Sequence, residues 1–483
     1  MTYIYLLVAV AACVGWLRQQ RGAPPLGIDP VVRERRAVPL GWVAIPCVVL
    51  IAAFVGLGVL EAQHPVRFIV DGIGSLSSKP PAHAASATTH RITLPFPFVL
   101  DGRPGAGANA IAFALGAVQT LALAALAALL LRSRGGSAER ALLVATAAIM
   151  LVLGCVAPTL TTTDLYAYVA FALSASPYQP HDAAWPGEHH ALNILFGTPI
   201  FQMPYGPLWN IVADAAVRPF GSLAHQLIAL RLVGAASFVA CILALRKLRL
   251  PRAVVACFAL DPTFVQLFVV DAHNNVLGLA LTLWACAIAS FPLAIVLAAA
   301  AGCVKMPFAL VGAVAFAGRG SRLARCGAFA ATLGLTVLVY IIGAGSGVLG
   351  GVRASSLTFT PPPILLVTQA IVGVVALVSL AGCLLSDRWN PPAAWGALAF
   401  GYFPLPWYLA GSVPYAVRSG GGTVFLVLVP LVSAIVSRTY IVDTLAGGAI
   451  QIAVLGAAIA LGVGELRARL ARRRERVRLA ASG

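Results

Sequence analysis

The amino-acid sequence predicts an all-α, polytopic integral membrane protein that crosses the bilayer about 13 times. Three observations predict it. First, 60% of the 483 residues are hydrophobic and only 10% are charged, more apolar surface than a water-soluble fold of that size can bury. Second, the long Ala/Leu/Val runs lack the period-two alternation of barrel strands, which leaves helices as the structures able to satisfy their own main chain in lipid. Third, the arginines gather in short blocks between those runs, as the loops on the cytoplasmic side of a membrane protein do. The same distribution argues against nucleic acid as the partner behind the net charge of +17, because such blocks meet anionic lipid headgroups.

Placing every basic block on the cytoplasmic side orders the elements. Residues 2–17 form a first membrane helix with its N-terminus outside; they lack a positive leading region, and Arg18, Arg21, Arg33, Arg35 and Arg36 follow them. Segment 40–60 exits and 61–105 is an external loop rich in Gly, Pro, Ser and His. Segment 106–131 returns to Arg132, Arg134 and Arg140, and 141–160 exits to deliver a second external stretch, 161–222, with interfacial helices. Segment 226–245 re-enters to Arg246, Lys247, Arg249 and Arg252; 253–270 exits to Asp271, and 276–289 comes back.

Parity then becomes informative. Reaching the next basic block, Arg319, Arg322 and Arg325, from the turn at Phe291-Pro292 takes two crossings. Residues 292–318 must therefore be two short half-helices that meet outside at Lys305-Met306-Pro307, where proline breaks the helix. Broken helices are tolerated where they line a cavity. Segment 327–343 exits, 363–385 enters and 394–410 exits, but 423–437 and 446–463 then leave the basic tail 465–483 outside, against its charge. One late segment is therefore misplaced in this path. The whole chain, 1–483, reads as a single transmembrane domain.

All eight histidines (His64, His83, His90, His181, His189, His190, His225 and His273) fall on the outer side of this path, as do Asp164, Asp182, Glu188, Asp214 and Asp271. Of the nine cysteines most lie inside apolar runs and none has metal-ligand spacing, so they read as small buried hydrophobes. The cluster His181, Asp182, Glu188, His189 and His190 matches no helical or strand ligand pattern and reads as a solvated loop. No metal site and no cofactor is expected.

Four polar blocks stand out on the outer side. Asp164, in Thr163-Asp164-Leu165-Tyr166-Ala167-Tyr168, opens a short helix through 165–173; an N-cap and a functional acid are compatible readings. Lys305 is one of three lysines, with Lys79 and Lys247, and lies far from any basic block. A snorkelling lysine normally sits beside such a block, so an ammonium here suits a phosphate better. Asp271-Ala272-His273-Asn274-Asn275 is a polar turn between two apolar helices, whether or not it also binds anything. Pro204-Tyr205-Gly206-Pro207-Leu208-Trp209 fixes a turn and offers aromatic rings that either anchor at the interface or stack on a sugar face.

Taken in order, these blocks resemble the GT-C superfold of polyprenyl-phosphate-sugar-dependent glycosyltransferases, nearest the actinobacterial α-mannosyltransferases that extend lipomannan and lipoarabinomannan. That family reads Asp-x-Tyr-x-Tyr, Pro-Tyr, Tyr-Gly-Pro-Leu-Trp, His-Asn-Asp, a Lys near Pro, and a late Pro-Trp-Tyr. The corresponding residues are Asp164-Leu165-Tyr166-Ala167-Tyr168, Pro177-Tyr178, Tyr205-Gly206-Pro207-Leu208-Trp209, His273-Asn274-Asn275, Lys305-Met306-Pro307 and Pro406-Trp407-Tyr408. The likeness runs from about residue 140 to about residue 440. Asn275 stands where the family has an acid: either Asp271 takes its part or the sugar or acceptor differs. The loop 61–105 has no counterpart in the family pattern.

The resemblance implies Asp164 as catalytic base and Lys305 as the group that holds the carrier phosphate. Arg231, a few residues into segment 226–245 from its outer end, is a further candidate to assist at the phosphate. Tyr166, Tyr168, Tyr205, Asp271, His273, Asn274, Trp407 and Tyr408 would line the sugar and acceptor sites. It implies an inverting hexosyltransferase, with mannose the expected sugar, in the bacterial cytoplasmic membrane and with its active site facing outside. The donor would be a polyprenyl-phosphate sugar and the acceptor a glycan or lipid-linked glycan. The residues agree, since direct displacement needs one carboxylate for the acceptor proton and no second, nucleophilic acid. The rival class is a transporter or lipid flippase, which needs polar groups along a path open to both sides; here they crowd one face.

Overall fold

The computed structural model describes residues 38–63, 106–157, 164–180, 185–189, 192 and 202–357, with isolated positions between 377 and 417. Segments 2–17, 394–410, 423–437, 446–463 and the tail 465–483 lie outside these residues, with nearly all of 61–105 and most of 363–385. The described residues form helices and no strand element, in agreement with the all-α expectation.

Helix α1 (Leu40–Gln63) packs along α2 (Ala106–Arg132), and α3 (Ser137–Val156) packs against α1. After them come two short helices, α4 (Asp164–Leu173) and α5 (Pro207–Val217), then the long α6 (Leu223–Lys247). α7 (Arg252–Leu260) and α8 (Pro262–Val265) are joined at Asp261, and α8 runs on into a π turn, Gln266–Val270. α9 (Asn275–Ala287) and α10 (Phe291–Val304) form a hairpin; α11 (Pro307–Val311) continues as a 3₁₀ turn, Gly312–Ala315. α12 (Arg322–Gly343) and α13 (Gly347–Leu357) complete the described order.

Five of these helices, α1, part of α2, α3, α6 and α12, are long and apolar enough to cross a membrane, and α7 with α8 and its π turn makes a sixth if that bent pair is one span. They account for part of the expected crossings; α9 and α10 are shorter apolar helices. Large apolar side chains project outward from the spans, with Leu121 70%, Leu323 83% and Ile342 77% exposed. Exposure of that kind on a monomer marks a surface whose solvent is not water.

Helix ends follow from local chemistry. Ser222 Oγ and Ser321 Oγ accept from the third amide of α6 and α12 respectively, and Glu188 Oε1 accepts from Leu223 N at 3.1 Å. Arg246 and Lys247 close α6, where the last-turn carbonyls favour cations. Prolines occupy the first turns of α5, α8, α10 and α11, where no amide is missed. The chain breaks twice inside apolar sequence. At Asp261-Pro262 it bends by 49°, with Asp261 Oδ1 accepting from Thr263 N at 2.9 Å. At Lys305-Met306-Pro307 it breaks between α10 and α11, where the parity of the arginine blocks requires a break.

The arginine blocks also knit one end of the bundle together. Arg252 reaches Glu139 Oε1 at 3.1 Å and donates to Ser133 O at 3.2 Å, and Ser133 Oγ donates to Glu139 Oε2 at 2.5 Å. Arg319 donates to the carbonyls of Ala285, Ala289 and Ala315, which ties the α9–α10 turn to the end of the 3₁₀ turn. The loops at the other ends of α9, α10 and α3 carry the polar blocks.

Candidate functional site

The site is made where helices begin and end. α4 is apolar on every side and Leu165 through Ala172 are all buried, so it is enclosed by other parts of the protein. Its first residue is Asp164, whose carboxylate gains from the positive end of the helix. Tyr168, one turn on, shares that face; Tyr166 points elsewhere, as the helical period requires.

The π turn delivers the second block. It packs against α6 where Gly234 leaves room: a Cβ there would lie 2.3 Å from Phe268 O. At its end Ala272 takes φ +45°, a left-handed conformation that costs an alanine about 1–3 kcal/mol and is kept where the surroundings impose it. Through that turn His273, fully buried, presents Nδ1 to Asp164 Oδ2 at 3.2 Å. The Asn274 amide donates weakly to Tyr168 Oη at 3.4 Å.

The third block is the break after α10. Lys305 leaves the helix in extended conformation, its amide still bonded to Ala301 O and its carbonyl accepting from Phe308 N. Its ammonium donates to Asn275 Oδ1 at 3.2 Å and lies 5.6 Å from the centre of the Tyr205 ring. Asp164 is the carboxylate whose charge acts on Lys305, so the two residues expected to do the chemistry share one site.

The loop before α5 supplies the wall. Tyr205 stands edge-on to Tyr168 at 5.2 Å, and Tyr168 edge-on to Trp209 at 4.9 Å. The loop is pinned where Gly206 N donates to Val304 O at 3.0 Å; a Cβ on Gly206 would fall 2.0 Å from Cys303 O. Tyr178 Oη donates to Tyr205 O at 3.2 Å, and burial pushes the Tyr178 hydroxyl up, so it stays protonated for that role. Tyr340 Oη, from α12, donates to Gly302 O at 3.1 Å and braces the end of α10. Within the described residues the Asn274 side-chain amide and Trp209 Nε1 are buried and make no hydrogen bond.

Not every expected residue comes to this place. Arg231 is fully buried and donates to Val270 O at 2.8 Å, Ala157 O at 2.6 Å and Cys155 O at 3.3 Å. Asp271, also fully buried, offsets its charge and accepts from Gln266 Nε2 at 3.4 Å, and Tyr166 feels the same guanidinium. Arg231, Asp271 and Tyr166 thus form a second group behind the site, clamping the end of α3 to the π turn. Asp271 is engaged there, while the group beside Lys305 is Asn275. Trp407, Tyr408, His181, Asp182 and His190 lie outside the described residues. Glu188 caps α6 and His189 Nε2 bonds Gln226 Oε1 at 2.8 Å, which gives both a structural use. No group of three His, Cys, Asp or Glu residues suited to a metal occurs among the described residues.

Sequence reasoning passed over Ala272 and Tyr340 and gave Asn275 no role of its own. A non-glycine residue in a left-handed turn and a tyrosine bracing a distant helix leave no local signature. Asn275 did have one, as the departure from an acid.

A carboxylate beside a histidine, an ammonium bonded to an amide and a shared aromatic wall, all reached through helix ends in a bundle of apolar helices, are an arrangement suited to group transfer. The profile of one known family covers these residues. The chain belongs to the alpha-(1->6)-mannopyranosyltransferase family MptA/B, whose N-terminal-domain profile matches residues 74–319, just over half of the chain and every described residue of the site except Tyr340. It is therefore a glycosyltransferase of a mannosyl-transferring family. Neither a curated protein nor a solved structure matches it.

Proposed function

We propose that the protein transfers mannose from a polyprenyl-phosphate donor to a glycan or lipid-linked acceptor outside the cytoplasmic membrane, with inversion at the anomeric carbon. The observation that carries this reading is the meeting of Asp164 and Lys305, far apart in sequence, across a site whose other members orient them. Asp164 takes the proton of the acceptor hydroxyl as its oxygen bonds to the anomeric carbon. The bond from that carbon to the phosphate oxygen breaks on the opposite face, and the electron pair leaves with the polyprenyl phosphate. Lys305 meets the charge that gathers there, in a poorly hydrated site where such an interaction is strongest.

His273, whose Nδ1 lies 3.2 Å from Asp164 Oδ2, sets the place of the carboxylate that receives the acceptor's proton. The buried amide of Asn274 and the indole N–H of Trp209 are suited to the sugar's hydroxyls, since an unmet buried polar group costs about 1–3 kcal/mol. Arg231 serves the scaffold in this reading, and so does Asp271.

The test is transfer from radiolabelled polyprenyl-phosphate mannose by purified protein in lipid nanodiscs. Asp164→Asn is expected to abolish transfer while binding donor normally, and Lys305→Ala to weaken donor binding. Normal turnover by Asp164→Asn would remove the base from the mechanism, and transfer from a nucleotide sugar alone would remove the lipid donor.

A further inference from the structure

Asn275 opens α9, is fully buried, and accepts the Lys305 ammonium on Oδ1 at 3.2 Å. A carboxylate fits the same space and would make a stronger contact with an ammonium. It would also cancel the charge. Among the described residues Lys305 feels the negative charge of Asp164, touches the neutral amide of Asn275 and faces the ring of Tyr205. A carboxylate at 275 would add a negative charge directly against the ammonium, facing an anionic phosphodiester.

We infer that Asn275 is a positioning residue that aims the Lys305 ammonium at the donor phosphate without discharging it. The inference rests on the reading of Lys305 as the phosphate group's partner and adds the means by which its charge is kept available. An amide fixes direction through one oxygen and contributes no charge, so orientation and electrostatics are separated in one side chain.

Three full-length variants in nanodiscs test this, with polyprenyl phosphate as the probe and uncharged polyprenol as its control. Asn275→Asp is expected to bind polyprenyl phosphate roughly tenfold to a hundredfold more weakly, the scale of one added charge near a partly buried ammonium. Its affinity for polyprenol should not change. Asn275→Ala keeps the charge balance and loses only the aim, so its affinity should stay within about threefold while transfer slows more, a split between binding and turnover that loss of structure would not give. Lys305→Ala should lose the preference for the phosphate over the alcohol.

Native affinity for polyprenyl phosphate in Asn275→Asp, with Lys305→Ala impaired, overturns the inference and leaves the phosphate reading intact. Native affinity in Lys305→Ala overturns the phosphate reading itself. If Asn275→Asp does not fold, Asn275→Ala decides alone: an affinity loss as large as that of Lys305→Ala overturns the inference.

Discussion

Replacing Arg231 separates two uses of a buried guanidinium. Arg231→Leu removes donors from three carbonyls, of which Val270 O at 2.8 Å and Ala157 O at 2.6 Å are well-formed contacts and Cys155 O at 3.3 Å is a weaker one. Each carbonyl stranded away from water costs about 1–3 kcal/mol. The buried Asp271 would also lose the positive charge that acts on it. Stranding the two well-met carbonyls alone costs about 2–6 kcal/mol, a large fraction of the stability of an ordinary domain. The assay follows from the cysteines: Cys241, Cys257, Cys286 and Cys303 are all buried, so a thiol-reactive fluorophore reports unfolding of the detergent-solubilised protein as it is heated. Arg231→Leu is expected to label at a much lower temperature than native protein. Arg231→Lys, which keeps the charge but not the fork of donors, should fall between them. A variant that unfolds with the native protein yet binds donor tenfold more weakly would refute the reasoning and return Arg231 to the phosphate.

Three other perturbations probe the site's supports. His273→Ala frees the Asp164 carboxylate from its orienting partner, and turnover should fall roughly a hundredfold, the scale of a misplaced catalytic group, with donor affinity little changed; equal loss of both in binding and single-turnover measurements would count against a positioning role. Ala272→Gly, at φ +45°, should leave stability within about 1 kcal/mol or improve it, while Ala272→Val lowers it clearly; thermal scans in which valine equals glycine would contradict the strain. Gly206→Ala puts a methyl group where Cys303 O already lies, so the loop must move, and a loss of at least about 1–3 kcal/mol is expected together with slower transfer; unchanged melting would show that the contact is slack.

How much of this was legible beforehand depended on whether the signal was local. Apolar length and arginine blocks placed the spans: 40–60, 226–245 and 327–343 became Leu40–Gln63, Leu223–Lys247 and Arg322–Gly343. Counting crossings between basic blocks called for a break at Lys305-Met306-Pro307, and α10 and α11 are interrupted there. The contact of His273 with Asp164 joins the turn before α9 to the first residue of α4, residues distant in sequence, and so left no local signal. The main-chain contacts of Arg231 were unreadable for the same reason: an ion at a helix end suggests function, and its partners Val270 O and Ala157 O are set by packing. The burial of α4 was not legible either, because a short aromatic helix suits an exposed place as well as an interior, and the helices around it decide.

The break after α10 also sets a height. If α10 rises from the side of the arginine blocks, its 14 residues climb about 21 Å, roughly 9 Å short of a hydrocarbon layer about 30 Å thick. The lysine then stands level with the upper part of the acyl chains. On the proposed function, a long-chain carrier would reach it sideways, keeping its tail in the bilayer. Adding one turn to α10 would lift the ammonium by about 5.4 Å, so its height is written in the length of a helix.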